Sequence, residues 1–408
     1  MKIFTHFGSG LGCVQRTLTT VTELKKRGHL IRYLGRDNAK QIMKAVDIEP
    51  LNAQFNIGDM KKGPQQSAWK SPEHFWGMIY WDLEWLESKI DQLCHYLHAY
   101  NPDLIMSDAG ILSLLAARII KIPLVTVCQS CYHPERPYRT IRYWEPEEDL
   151  NLSFMDKLNE MLNKKGAKTV KKFEELFTGD LTIIPSIPEF DPVNSVTSYN
   201  SHYVGPLVWN PPYDTVNGDF GQYRKGKRPR IFCYTARFFD NVGESGAKIF
   251  RAVALLHKKL DAEIVVSTGS HDDTLAAKRI IEEMHIPAEA IQLVDWLPMK
   301  IAYGQSDIVI HHGGHGSCLA QVMYQIPSVI VPTHTEREYN ARMLKQLGAA
   351  EIVQEHEINS SDFSAKILHV LGSKNYKDAL QGLHAELQSG NYGGSVEMVN
   401  QMERLHAH

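Results

Sequence analysis

The chain has little of what marks a membrane, secreted or metal-built protein. It contains no run of roughly 18 apolar residues, so no spanning helix is expected. Its first residues, MKIFTHFGSG, lack the long apolar core of a secretory signal. Cysteine is sparse: six residues (Cys13, Cys94, Cys128, Cys131, Cys233, Cys318) are scattered over 408. Cys128 and Cys131 form a lone CxxC with no second pair, which argues against zinc and leaves a redox pair only as an alternative to plain thiols. Reduced thiols point to a cytoplasmic protein. The net charge of −3, with no polybasic run, gives no reason to expect nucleic acid or a membrane anchor. No cluster of Asp, Glu and His has metal-ligand spacing. Asp272-Asp273 reads as an exposed pair at a helix start. Repeats and low-complexity tracts are missing as well.

What is present is length and alternation. At 408 residues, 43% of them hydrophobic, the chain can build two domains with separate cores. KIFTHF reads as a strand, FGSGLG as a glycine turn, VQRTLTTVTELKKRG as a helix and LIRYLG as a second strand. DLIMSD, ILSLLAARII and PLVTVC continue the strand–helix–strand order. The pattern restarts with RIFCYT, a helix around AKIFRAVALLHKKL, AEIVVSTG, IQLVDW and DIVIHHGG, then a helix at CLAQVMYQ and a strand at PSVIVPT. Two such series predict an α/β protein of two Rossmann-like, doubly wound domains. The expected division is residues 1–201, a linker rich in Pro, Gly and Asn over 202–220, a second domain over 221–390, and a closing helix over 391–408.

One stretch of the first half departs from this pattern. Phe55, Trp69, Phe75, Trp76, Tyr80, Trp81 and Trp85 crowd one segment, and Tyr132, Tyr138, Tyr143 and Trp144 another. Such aromatics either fill a core or line a pocket for a flat, apolar partner.

DIVIHHGGHGSCLAQ is the most informative segment. A buried strand runs into His312-Gly313-Gly314-His315-Gly316-Ser317, and a helix follows. Glycines there let backbone N–H groups approach a bound group, and the helix N-terminus adds unpaired donors and partial positive charge. A pyrophosphate fits such a place, with Ser317 serving as N-cap and ligand donor. A plain strand–helix turn could use the same glycines. His311, next to His312, is expected to end the strand and face the core.

VVSTG, VDWLP, HGGHGS, IPSVIVP and NARMLKQLGA, spread over residues 264–348, closely resemble the donor domain of the family 1, UDP-glycosyltransferase-like enzymes. KKRGH, PDLIMSD, YVGPL and the terminal GGSVEMVNQMERL extend the resemblance over most of the chain. It implies the GT-B fold, two Rossmann-like domains facing across a cleft, and transfer of a sugar from a nucleotide diphosphate sugar with no cofactor and no metal. Residue by residue, Trp296 would stack on the nucleotide base and His312 would contact the diphosphate. Gly314, Gly316 and Ser317 would face the phosphates, and Arg237 would stabilise the leaving diphosphate.

The chain also departs from that family. Ala320 stands where a carboxylate often meets the ribose, with Gln321 beside it as a partial substitute. Both UDP- and dTDP-sugars therefore remain donors. Glu336-Arg337 replaces the Asp-Gln pair that reads sugar hydroxyls; Arg337 either meets an acidic sugar or pairs with a neighbouring Glu. Cys13 replaces the usual catalytic histidine. The proton acceptor is then expected to be Asp108, with His6 as the second candidate. The acceptor is expected to be a small hydroxylated molecule, aromatic or lipid-like, and the oligomeric state is left open. Two other readings stand beside transfer: a sugar-nucleotide epimerase on the same fold, and a non-catalytic sugar-nucleotide-binding protein.

Overall fold

The structure is a computed structural model. It describes all residues except 9, 36–42, 45, 53–54, 56–70, 72, 74–81, 141–152, 209–225, 237, 239–243, 360 and 408. Most of the expected linker and the aromatics Trp69, Phe75, Trp76, Tyr80, Trp81, Tyr143 and Trp144 thus lie outside the described residues.

Two parallel sheets organise the chain. The first is built from β1 (Lys2–Phe7), β2 (Leu30–Leu34), β3 (Glu49–Pro50), β4 (Leu104–Asp108), β5 (Leu124–Val127), β6 (Leu181–Ile184) and β7 (Ser201–Tyr203), in the order β3-β2-β1-β4-β5-β6-β7. Its helices are α1 (Leu11–Lys26), α2 (Leu83–Tyr100), α3 (Ile111–Ile120) and α4 (Ser153–Lys164). The second contains β8 (Arg230–Tyr234), β9 (Glu263–Ser267), β10 (Gln292–Val294), β11 (Ile308–His311), β12 (Ser328–Ile330) and β13 (Ala350–Ile352), in the order β10-β9-β8-β11-β12-β13. Around it lie α5 (Ser245–Ala254), α6 (His271–Glu283), α7 (Met299–Gly304), α8 (His315–Tyr324), α9 (Thr335–Gln346), α10 (Ser361–Gly372) and α11 (Asn375–Ser389); α12 (Gly394–Ala407) ends the chain.

The central strands are covered by helices on both faces, which is why LIMSD and IVIH are buried from end to end. Strand order reverses between β1 and β4 in one sheet and between β8 and β11 in the other. Crevices at the carboxyl ends of such strand pairs are where open α/β sheets hold ligands. They bring Phe7 beside Asp108 and Tyr234 beside His311.

Both key helices start earlier than their glycines suggest. α1 begins at Leu11, so Cys13 lies on its first turn rather than in a glycine loop. α8 begins at His315, with Gly314 as its N-cap. Ser317 is the third helical residue, not the cap expected from the sequence, because the glycine ahead of it takes the cap conformation.

The last helix returns to the first domain. Met398, Val399 and Met402 of α12 join the apolar cluster of Ile3, Phe7, Val14 and Leu18. Arg27 donates to Glu403 and Asn400, each at 2.8 Å, and His29 meets Glu403 at 2.9 Å. Between the domains, Ile187, Phe190 and Cys131 belong to one apolar cluster with Cys318, Leu319 and Tyr339, and Ser130 shares a 2.6 Å hydrogen bond with the Tyr339 hydroxyl. No helix among the described residues is long and apolar enough to cross a membrane.

Candidate active site

The turn from β11 to α8 is shaped by backbone needs. Gly313 has φ of +86°, and a Cβ there would stand 2.6 Å from the Arg337 carbonyl oxygen. A side chain is therefore excluded twice, by conformation and by space. A Cβ on Gly314 would meet Nε2 of His312 at 2.6 Å. The first turn of α8 has no acidic residue and no side-chain cap. Its first internal bond runs from the Cys318 N–H to the Gly314 carbonyl at 3.0 Å. The N–H groups of His315, Gly316 and Ser317 are left facing outward from the helix end, a ready-made seat for an anion.

His312 is buried under this turn, edge-on to Tyr234 with ring centroids 5.4 Å apart. Burial first, and then the charge of Arg337, hold its pKa well below the ordinary value. It is a neutral imidazole whose Nδ1 makes no hydrogen bond within the protein. Trp296 follows β10 and is 37% exposed, so it is not packed wholly into the core.

Gln321, expected beside the ribose, is turned into the core. It is fully buried, its oxygen meets His311 Nε2 at 3.2 Å and the Ser328 hydroxyl, and its amide donates to the Ala349 carbonyl at 3.3 Å. It braces His311, whose Nδ1 accepts from the Gly313 N–H at 3.1 Å. His311 thus faces the core, as its place in the strand requires. Ala320 packs in an apolar cluster with Phe232, Tyr303 and Val309.

On the first-domain side, the Asp108 carboxylate is not free. Arg16 of α1 grips both its oxygens, Nε to Oδ2 at 2.8 Å and Nη2 to Oδ1 at 2.9 Å, with both side chains buried. Such a bidentate pair occupies the oxygens a base would use. This corrects the expectation that Asp108 is a ready proton acceptor. Arg16 was missed, although its spacing of three from Cys13 puts the two on one helix face. Cys13 lies within 3.6 Å of Arg16 Nη2. Burial, then the Asp108 charge, push its thiol far above the ordinary value, so it keeps its proton.

His6 lies apart from Asp108 and Cys13. It pairs with Ser107 in register, one residue before Asp108, so strand alternation turns it to the opposite face of the sheet. There its Nδ1 meets the Ser113 hydroxyl at 3.1 Å, against α3. Glu336, half-buried on the first turn of α9, comes from the second domain into the same neighbourhood as Cys13 and Arg16, within hydrogen-bond reach of the Tyr132 hydroxyl. Arg337 donates to the Thr333 hydroxyl. Arg237 lies outside the described residues. Of the aromatics, Tyr132 is buried against Phe177 with ring centroids 5.0 Å apart, Phe55 and Trp85 are partly buried, and Tyr138 is exposed.

The buried histidines give the protein a pH limit. Burial lowers His133 and His311 to about 4 from an ordinary value of 6.5, and holds His312 well below that value. Folded pKa values below the unfolded one mean that the unfolded chain takes up protons first as pH falls. Stability should therefore be full above pH ~6.5 and decline toward pH ~4, by about 1.4 kcal/mol per pH unit for each histidine that stays neutral. Urea midpoints measured between those limits test this, and a flat profile would mean that these rings take up protons inside the fold.

Comparison with known proteins agrees with this architecture. Residues 253–405 match the model of the erythromycin biosynthesis protein CIII-like C-terminal domain. An uncharacterized UDP-glucosyltransferase, YojK, of Bacillus subtilis (strain 168) is 21% identical over 398 residues, covering 96% of this chain and 94% of its own. The crystal structure of the glycotransferase of kitacinnamycin superposes with a TM-score of 0.74 at 15% identity, over 99% of this chain and 98% of the other. The glycosyltransferase VinC in complex with DTDP gives a TM-score of 0.67 at 18% identity over 100% of both chains. The chain has the GT-B fold, and over its length it is similar to glycosyltransferases of the family 1, UDP-glycosyltransferase-like kind.

Proposed function

We propose that the protein moves a sugar from a UDP- or dTDP-sugar to a hydroxyl of a small acceptor, with inversion at the anomeric carbon and without a bound metal. The observation that carries this reading is the first turn of α8, where backbone N–H groups without internal partners stand beside the neutral His312 imidazole. Those groups suit a diphosphate, because the helix end and one ring N–H both donate to phosphate oxygens. The exposed Trp296 would offer its face to a base, and the DTDP in complex with VinC supports a nucleotide diphosphate as ligand. With Ala320 in an apolar cluster, no carboxylate stands at that position for ribose hydroxyls, which suits uridine and thymidine donors alike.

In this reaction the acceptor oxygen attacks the anomeric carbon opposite the diphosphate. The new C–O bond forms as the bond to phosphate breaks, and the acceptor proton passes to a carboxylate. Glu336 and Arg337 border the sugar. Glu336 takes the proton, since Asp108 is held by Arg16 and the Cys13 thiol stays protonated.

Three measurements test this. His312→Ala should weaken UDP or dTDP binding by roughly 1–3 kcal/mol in calorimetry, the scale of a hydrogen bond to a charged group. Unchanged affinity in the folded variant would remove the donor assignment. Transfer activity should survive excess EDTA, because the diphosphate charge is met by the helix end and imidazole; a loss restored by magnesium or manganese would overturn metal independence.

Glu336→Gln should cut turnover by about 10²–10⁴, the usual scale for losing a general base. Asp108→Asn should chiefly cost stability, about 3–5 kcal/mol for breaking a buried pair. If the folded Asp108→Asn enzyme loses turnover while Glu336→Gln keeps it, the proton acceptor is Asp108.

A further inference from the structure

The donor turn holds two histidines, and the reading above uses only His312. His315, the first residue of α8, is also buried. Its Nε2 lies 2.7 Å from Oδ2 of Asp191, which comes from the first domain, in the loop after β6; the two side chains are 2% and 1% exposed. Asp191 also accepts from the Ser130 backbone N–H at 2.9 Å. Burial alone would raise its carboxyl. The His315 charge and hydrogen bond, with the bond from the Ser130 N–H, bring it below the ordinary value instead. The Phe190 ring packs beside the imidazole, with centroids 5.7 Å apart. The ring is therefore fixed by a carboxylate at one nitrogen and an aromatic beside it.

Its other nitrogen, Nδ1, is buried and has no partner. A buried polar atom left this way is costly unless a ligand completes it. A cation is also disfavoured at a helix N-terminus, while an anion is favoured. α8 carries no acid of its own in its first turn, so Asp191 supplies the balancing charge from the other domain. His315 and Gly316 line a small cavity between the domains, opposite Gly12, Gln15 and Arg16 of α1.

We propose that His315 is a second imidazole of the diphosphate site, aimed and charge-balanced by Asp191, with its Nδ1–H donating to a phosphate oxygen. Both ring nitrogens then carry protons, one directed to Asp191 and one to the ligand. The inference rests on α8 being the donor site. It adds that the first domain takes part in donor binding through Asp191, a positioning residue that acts only through His315.

Calorimetry with UDP and with dTDP tests it. His315→Gln should weaken binding roughly 10–100-fold, the range for one charge-assisted hydrogen bond. Asp191→Asn should weaken binding by less, and Asp191→Glu, which keeps the charge, should recover affinity. The double variant should bind no more weakly than His315→Gln alone, because the two residues form one path. If both single variants lower the melting temperature but leave affinity unchanged, the pair is only a strut between domains and the proposal falls. Should His315→Gln fail to fold, unchanged affinity in Asp191→Asn overturns the proposal equally. If the unaltered protein binds neither nucleotide, the donor reading itself is lost, and that result precedes any variant.

Discussion

The first turn of α8 is the constraint on which the site depends. Helix geometry leaves its leading N–H groups without internal partners, and Gly314 brings no side chain to satisfy them. Closing the strand–helix turn requires the left-handed backbone of Gly313 and the close approach of the Arg337 carbonyl. These two requirements fix where α9 starts and hence where Glu336 can reach. They also keep His312 beneath the turn, neutral and short of a hydrogen-bond partner. A diphosphate, the ligand proposed above, would answer these needs at once.

The opposite wall follows a different logic. Where relatives of the resembled family place a histidine and an aspartate, this chain places a half-buried thiol and an aspartate gripped by Arg16. The guanidinium engages both Asp108 oxygens, so the pair fixes shape and charge at the floor of the first domain. Glu336, whose charge acts on Tyr132 and Arg16, belongs to the other domain. In the proposed reaction, acid–base chemistry and diphosphate recognition both fall to the second domain, while the first contributes Asp191 and the Arg16–Asp108 pair. Joining the two are the Ser130–Tyr339 and Asp191–His315 contacts, both buried.

Much of the fold was legible in the sequence because parallel strands buried on both faces leave continuous apolar runs, and RIFCYT, DIVIHH and DLIMSD are such runs. The glycine turn and the orientation of His311 were legible as well, since strand alternation and glycine chemistry are local. The short strands β3, β7 and β13, each two or three residues long, were not, because pairing and not pattern defines them. Gln321 was misjudged for a related reason. Its neighbour Ala320 marked the ribose position, but the helix turn sends Gln321 inward to brace His311.

By itself, then, the sequence determined the two α/β series, the phosphate-suited turn and the absence of a histidine at Cys13, all of which are carried by contiguous residues. Tertiary structure alone decided which charged groups meet. Arg16 and Asp108 are 92 residues apart and His315 and Asp191 are 124 apart. No periodicity or local propensity links residues at such separations. Their pairing arises because switch points of the sheets and a shared apolar cluster bring distant helix ends together, and desolvation there makes an unpaired charge too costly to leave.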